Sequence, residues 1–232
     1  MTLAGYCLVV FANVVNFGVY ANNVKTYAAY YNVSESTITN TEYVGLAAEM
    51  LFSLLAIKMV EWRFDYAVYS CGYLTACAYW LIYFSNHTYV IAFVGYVIIT
   101  IAQLFVIQTS LYLGELWFGL EKRIFAIGIG FYSNLIGFGA GGLLTTLYVG
   151  EDPKKIETQS LILAILSTVA FLLSLILVKN KPKVPIEKIE KVSWKHAKLI
   201  WKQKYLVFNV VASSAFIGLS WSFEYTRKAI LM

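Results

Sequence analysis

Seven long apolar stretches fill this chain, at about residues 3–27, 41–60, 66–85, 88–113, 124–149, 158–178 and 205–226. Polar residues interrupt them rarely. A helix needs roughly 20 apolar residues to cross the hydrocarbon core of a bilayer, and each stretch meets that length. Lipid offers no hydrogen bonds to an open backbone, so each stretch is expected to be a helix. The pattern predicts an all-α integral membrane protein whose working site lies within the bilayer. Candidate chemistry is then sought in the few polar residues inside the stretches: Asn13, Asn16, Glu49, Gln103, Gln108 and Asn134.

Composition agrees with this reading. Hydrophobic residues make up 59% of the chain and charged ones 13%, which is too apolar for a soluble domain of 232 residues. The first stretch is too long for the h-region of a cleaved signal and reads as a true first span. Cys7, Cys71 and Cys77 all fall inside stretches. An odd, buried set argues for small packing residues and against a disulfide framework. No zincin motif, nucleophile elbow or phosphate loop is present, so an enzyme is not expected. Neither a metal, a cofactor nor a nucleic-acid partner is expected.

Two signals set the expected orientation. The connections after spans 2, 4 and 6 carry Lys58 and Arg63, then Lys122 and Arg123, then nine lysines from Lys179 to Lys204. The connections after spans 1, 3 and 5 carry only Lys154 and Lys155. The positive-inside rule places the N-terminus in the cytoplasm. The sequons Asn32-Val33-Ser34 and Asn86-His87-Thr88 fall in the connections this rule puts outside, as glycosylation would require. A plasma-membrane location is expected.

The layout is a six-helix bundle over 1–178, a basic cytoplasmic linker over 179–204, and a seventh transmembrane helix in 205–232. That is how a twelve-helix transporter begins. The chain then reads either as truncated, or as a half that needs a complementary six-helix half. The linker opens with Lys-Asn-Lys-Pro-Lys-Val-Pro, which cannot continue a helix. From Ile186 onward it suits either a basic amphipathic helix on an anionic leaflet or a solvated connector.

In span 1, Asn13, Asn16, Phe17 and Tyr20 follow helical spacing and share one face. Counted from the expected entry points, Asn16, Gln103 and Asn134 reach similar, central depths. Such amides either bond neighbouring helices as glue, worth about 0.6 kcal/mol each, or line a polar cavity. Glu49 is a carboxylate deep in span 2, where an ionisable group is costly. It either neutralises a cationic ligand, carries a proton, or packs as a neutral acid. Span 5 holds six glycines between 128 and 142, which suits close helix packing.

Several segments resemble a known family. Ala102-Gln103, Trp117-Phe118-Gly119, Ser133-Asn134-Leu135-Ile136-Gly137 and Gly141-Gly142-Leu143-Leu144 are similar to a run in the feline leukaemia virus subgroup C receptor-related transporters. These belong to the major facilitator superfamily. Val60-Glu61-Trp62-Arg63 resembles that superfamily's motif between spans 2 and 3, with Phe64 in place of its glycine. Asn13 and Tyr20 also match. The resemblance implies a uniporter-like carrier for choline or ethanolamine, or for haem. It implies that Gln103, with Asn13 and Asn134, lies around the ligand's ammonium, and that Phe17 stands where the family has a tryptophan. Trp221 would supply an aromatic from span 7. Glu49 occupies a position that is usually uncharged in the family. Glu61 with Arg63 forms either an inner gate latch or an interfacial ion pair. His87 and His196 lie in connections, where neither can be an intramembrane haem ligand. The expected function is alternating-access transport of a small organic cation, with a non-transporting accessory protein as the competing class. The expected partners are a small-molecule substrate and the lipid bilayer.

Overall fold

The computed structural model describes residues 1–107, 109–180, 182, 208 and 212. Among them every regular element is helical. In chain order these are α1 (Thr2–Asn22), α2 (Val24–Tyr31), α3 (Glu35–Trp62), α4 (Phe64–Tyr83), α5 (Tyr89–Ile107), α6 (Thr109–Trp117) and α7 (Leu120–Leu144), then a π-helical turn, Thr145–Val149, and α8 (Lys155–Leu177). All belong to one compact unit, Met1–Glu187. The expected linker and seventh span lie almost wholly outside the described residues, as do Gln108 and Trp221.

Among the described residues, five helical stretches are long and apolar enough to cross a membrane: Thr2–Ala21, Glu35–Trp62, Tyr89–Trp117, Glu121–Val149 and Lys155–Leu177. α4 has the length, at 20 residues, but its tyrosines at 66, 69, 73, 79 and 83 lower its hydropathy. Its place in the bundle explains why that is tolerated. α4 packs against α1, α5 and α8, and Val68, Cys71, Ala78 and Tyr79 are almost completely buried.

The first stretch is not one helix. It breaks at Asn23 (φ −147°, ψ 48°), and α2 continues as a separate helix. Asn23 has local alternatives to the helical ladder, the usual way asparagine ends a helix. Its amide donates to the Gly150 carbonyl, and its side-chain oxygen accepts from Thr26. Thr26 also bonds Gly150, so the α1–α2 joint is tied to the turn before α8. α2 ends at Asn32 in the left-handed conformation, and Ser34 caps α3 by accepting from the Thr37 backbone amide. α3 and α4 are separated by a single extended residue, Arg63.

Bundle packing follows from small residues. α1 and α7 lie side by side and parallel. A Cβ on Gly137 would stand 2.9 Å from the Phe11 carbonyl oxygen, and one on Gly141 would collide with the Val15 carbonyl oxygen. In lipid, where water does not drive helices together, such close backbone approach supplies the van der Waals contact that holds a bundle. Many large apolar side chains are left exposed, among them Met50, Leu51, Ile124, Phe125 and Leu147. That surface suits lipid or another helical bundle, not water.

Candidate functional site

The helix contacts fix a register from which the level of each candidate residue can be read. Below, the base is the end of the bundle at which α1 begins. α5 runs antiparallel to α1: the Tyr6 hydroxyl donates to the Val106 carbonyl at 2.9 Å, and the Asn13 amide donates to the Ile99 carbonyl at 3.1 Å. Gln103 is therefore level with about Val9. α7 runs parallel to α1, with Phe11 beside Gly137 and Val15 beside Gly141, which sets Asn134 level with about Leu8. Gln103 and Asn134 thus share one layer of the bundle. Asn16 and Phe17 lie seven to nine residues further along α1, about 10–13 Å higher. The single depth expected for the three amides is divided into two layers.

In the lower layer Gln103 and Asn134 are both half-buried, and neither hydrogen-bonds any described residue. Asn134 lines a cavity of about 170 Å³ with Tyr6 and Val10 of α1, Val106 and Ile107 of α5, Ser110 of α6, and Gly130 and Phe131 of α7. Gly130 makes room for the Tyr6 ring, since a Cβ there would come within 3.0 Å of it. Ile107 follows Gln103 at i+4 on α5, so Gln103 stands one turn above the Ile107 wall of the cavity. The walls are apolar apart from Tyr6, Ser110 and Asn134. An amide with free donors and acceptors beside such a space can orient a small polar ligand.

The upper layer is aromatic. Tyr20 stacks on Tyr27 at 4.7 Å and meets Tyr96 edge-on at 4.9 Å, and Phe17 meets Tyr96 at 6.0 Å. Asn16 is 1% exposed, and neither of its amide atoms has a hydrogen-bond partner among the described residues. The buried hydroxyl of Tyr79 also has no partner among the described residues. Asn13 is a strut through its amide nitrogen, while its buried side-chain oxygen has no hydrogen-bond partner among the described residues. Its amide nitrogen bonds both Thr75 of α4, at 2.9 Å, and Ile99 of α5. A second buried chain runs from the Tyr27 hydroxyl to Gln159 and from Gln159 to Thr145, each at 2.7 Å. Sequence reasoning passed over Gln159 because it sits at the very start of its span. Tyr27 stands on α2, beyond the break at Asn23, so helical spacing from Tyr20 does not reveal its place in the cluster.

Glu49 lies at mid-length of α3, half-buried, and forms no hydrogen bond or ion pair with a described residue. α3 runs parallel to α5: Thr41 meets the Tyr89 hydroxyl at 2.6 Å, and Gly45 abuts Thr100 and Tyr96. Glu49, one turn after Gly45, is therefore level with Gln103, one turn after Thr100.

The pairing expected of Glu61 with Arg63 is not formed. Arg63 instead grips Asp65, Nε to Oδ1 at 2.9 Å and Nη2 to Oδ2 at 2.7 Å, while its guanidinium lies 4.0 Å from the Tyr66 ring centroid. Arg63 is the extended residue between two helices, and Asp65 sits in the first turn of the next one, where a carboxylate is favoured. Glu61 is exposed in the last turns of α3. Burial alone would push the Asp65 carboxyl up, but the Arg63 hydrogen bonds and charge outweigh it, leaving Asp65 below the usual carboxylate value. The same pair raises Arg63.

Both sequon asparagines, Asn32 and Asn86, are exposed and adopt positive φ, 53° and 43°. Asparagine is one of the few residues that takes this conformation readily, so each has a structural reason to be there apart from glycosylation. His87 lies in the same turn as Asn86, its ring 4.2 Å from that of Tyr30 and its Nδ1 3.0 Å from the Tyr30 carbonyl.

Comparison with known proteins places these features. The model of the Major Facilitator Superfamily matches residues 6–228. A choline/ethanolamine transporter of Rattus norvegicus, FLVCR2, is 27% identical over 114 residues, 47% of this chain and 21% of the relative. An uncharacterized MFS-type transporter of Caenorhabditis elegans is 24% identical over 179 residues, 74% of this chain and 30% of the relative. The aligned regions thus span less than a third of either relative's length.

Proposed function

This chain belongs to the Major Facilitator Superfamily, and from that premise we propose that it forms the first bundle of a carrier for a small organic cation of the choline or ethanolamine kind. One observation carries the reading. Asn134 lines an apolar cavity, Gln103 stands in the same layer on another helix, and neither amide hydrogen-bonds a described residue. Their carbonyl oxygens would accept from the hydroxyl or primary ammonium of an amino alcohol, and they would face the diffuse charge of a quaternary amine. Phe17 and Tyr20 in the layer above offer ring faces to the same charge. The similarity to a choline/ethanolamine transporter supports this substrate class. Asn13 contributes by holding α1, α4 and α5 in register, not by touching ligand.

Alternating access moves two bundles about a central site. The exposed apolar faces of α3 and α7 are where a second bundle or lipid would lie. The base of the bundle, with Arg63, Lys122 and Arg123, faces the cytoplasm in this reading, and Asn32 and Asn86 face outside, in the plasma membrane. The test is uptake by the full-length natural protein of a radiolabelled panel: choline, ethanolamine, an uncharged polyol and haem. Saturable uptake of the first two supports the reading. Uptake of the polyol or haem alone contradicts it.

A further inference from the structure

A glycine forms the cavity wall one turn below Asn134. Gly130 is buried in α7 and precedes Asn134 by four residues, so the two share a helical face. A Cβ at position 130 would stand 3.0 Å from the Tyr6 ring and 3.4 Å from the Ser110 Cβ. Both neighbours line the cavity, so the methyl group of an alanine would occupy the space between them. The Tyr6 ring cannot swing clear. It is 2% exposed, and its hydroxyl is held by the Val106 carbonyl at 2.9 Å. In a close-packed interior an added group that its neighbours cannot yield to takes its room from the nearest void. Other glycines of α7 act elsewhere. Gly137 and Gly141 admit the α1 backbone, and a Cβ at Gly128 or Gly139 meets nothing within 4 Å.

Val10, Val106, Ile107 and Phe131 leave the rest of the wall apolar, the kind of surface against which N-methyl groups pack. Resting on the substrate reading above, we propose that Gly130 sets the largest ammonium head the carrier accepts. With glycine at 130, the space below Asn134 takes an N-methylated head. With alanine there, it takes a primary ammonium and excludes the trimethylated one. Gly130 acts through volume alone, since it has no side chain to bond the head, whereas Gln103 and Asn134 serve whichever head fits. One methylene group more or less in a close-fitting apolar pocket is worth about 10- to 200-fold in discrimination. A single methyl on the wall is therefore enough to separate choline from ethanolamine.

The experiment uses the full-length protein in liposomes and a graded series of radiolabelled amines: ethanolamine, its N-methyl and N,N-dimethyl derivatives, choline, and the bulkier N,N,N-triethyl analogue of choline. Wild type should carry the series up to choline, with a half-saturating concentration for the triethyl analogue about tenfold or more above that for choline. Gly130→Ala should raise the choline value about tenfold or more and leave the ethanolamine value within about threefold. Gly128→Ala, which makes the same change of helix propensity away from the cavity, should leave the ratio of the two within about twofold. Tyr6→Leu removes the ring that faces Gly130 and should move the limit the other way, bringing the triethyl analogue within about threefold of choline. Thermal unfolding in detergent shows which variants are folded, and the wild-type series decides the matter where one is not. Equal handling of choline and the triethyl analogue by wild type overturns the size limit. So does a Gly130→Ala loss that is the same for every amine, and in both cases the substrate reading stands. No uptake of any amine in the series overturns the substrate reading itself.

Discussion

Gly141 of α7 approaches Val15 of α1 so closely that a methyl group at position 141 would overlap the Val15 carbonyl oxygen. This contact, with its neighbour at Gly137, sets the parallel register that puts Asn134 in the layer of Gln103. Two glycines two residues apart should therefore behave differently. A Cβ at Gly139 meets nothing within 4 Å. Gly141→Ala should destabilise the bundle by about 1–3 kcal/mol, the usual cost of overpacking. Gly139→Ala should be neutral or add up to about 1 kcal/mol through helix propensity. Thermal unfolding in detergent reads both, and equal effects would contradict the register.

Asn13 is expected to act on stability and not on ligand affinity. Asn13→Ala removes two interhelical hydrogen bonds and should cost about 1 kcal/mol, given that such bonds average about 0.6 kcal/mol in membranes. At matched surface abundance its half-saturating choline concentration should stay within about twofold of wild type. A large rise in that value would move Asn13 from strut to ligand site.

The Arg63–Asp65 pair gives a pH prediction of definite sign. Asp65 is lowered in the folded protein, so its contribution is present above the ordinary carboxylate value and is lost only as pH falls through the lower folded one. Asp65→Asn should therefore lower the unfolding temperature by the same amount at pH 8 and pH 5.5, and the gap should close below about pH 4. A gap that closes between pH 8 and 6 would assign the effect to another group.

Orientation is tested by labelling. Ser36 and Glu121 are both exposed, near opposite ends of the bundle. In a background without native cysteines, an impermeant thiol reagent added outside intact cells should modify Ser36→Cys and spare Glu121→Cys. The opposite pattern would invert the orientation argued from charge.

The helices themselves were legible in the sequence. Apolar length located the five helical stretches able to cross a membrane, and α4 beside them, because lipid leaves helix as the way to satisfy the backbone, but it did not show the break at Asn23. The face shared by Asn13, Asn16 and Tyr20 was legible too, because helical spacing is local. Relative depth was not. It was counted from expected entry points, yet α7 begins at Leu120, four residues before the expected 124, about 6 Å of rise. Glycine contacts then fix the offset, and nothing local encodes them. The partner of Arg63 was missed for a similar reason. Resemblance drew the eye to Glu61, but an extended residue between two helices brings its side chain to the first turn of the next one. The tyrosine cluster gathers residues 20, 27, 79 and 96 from four elements, so only the folded bundle assembles it.

The account stands most directly on the half-saturating concentration for choline uptake by the full-length protein, compared across Gln103→Ala, Asn134→Ala and Ser133→Ala at matched surface abundance. Ser133 neighbours Asn134, but its hydroxyl is satisfied by the Ile129 carbonyl at 2.9 Å. Losing a hydrogen bond to a charged ligand costs about 1.5–3 kcal/mol, which is roughly a 10- to 150-fold rise. The account predicts a rise of that order for Gln103→Ala and Asn134→Ala, with Ser133→Ala unchanged. Wild-type values for both amide variants would show that the ligand does not sit in the layer they share.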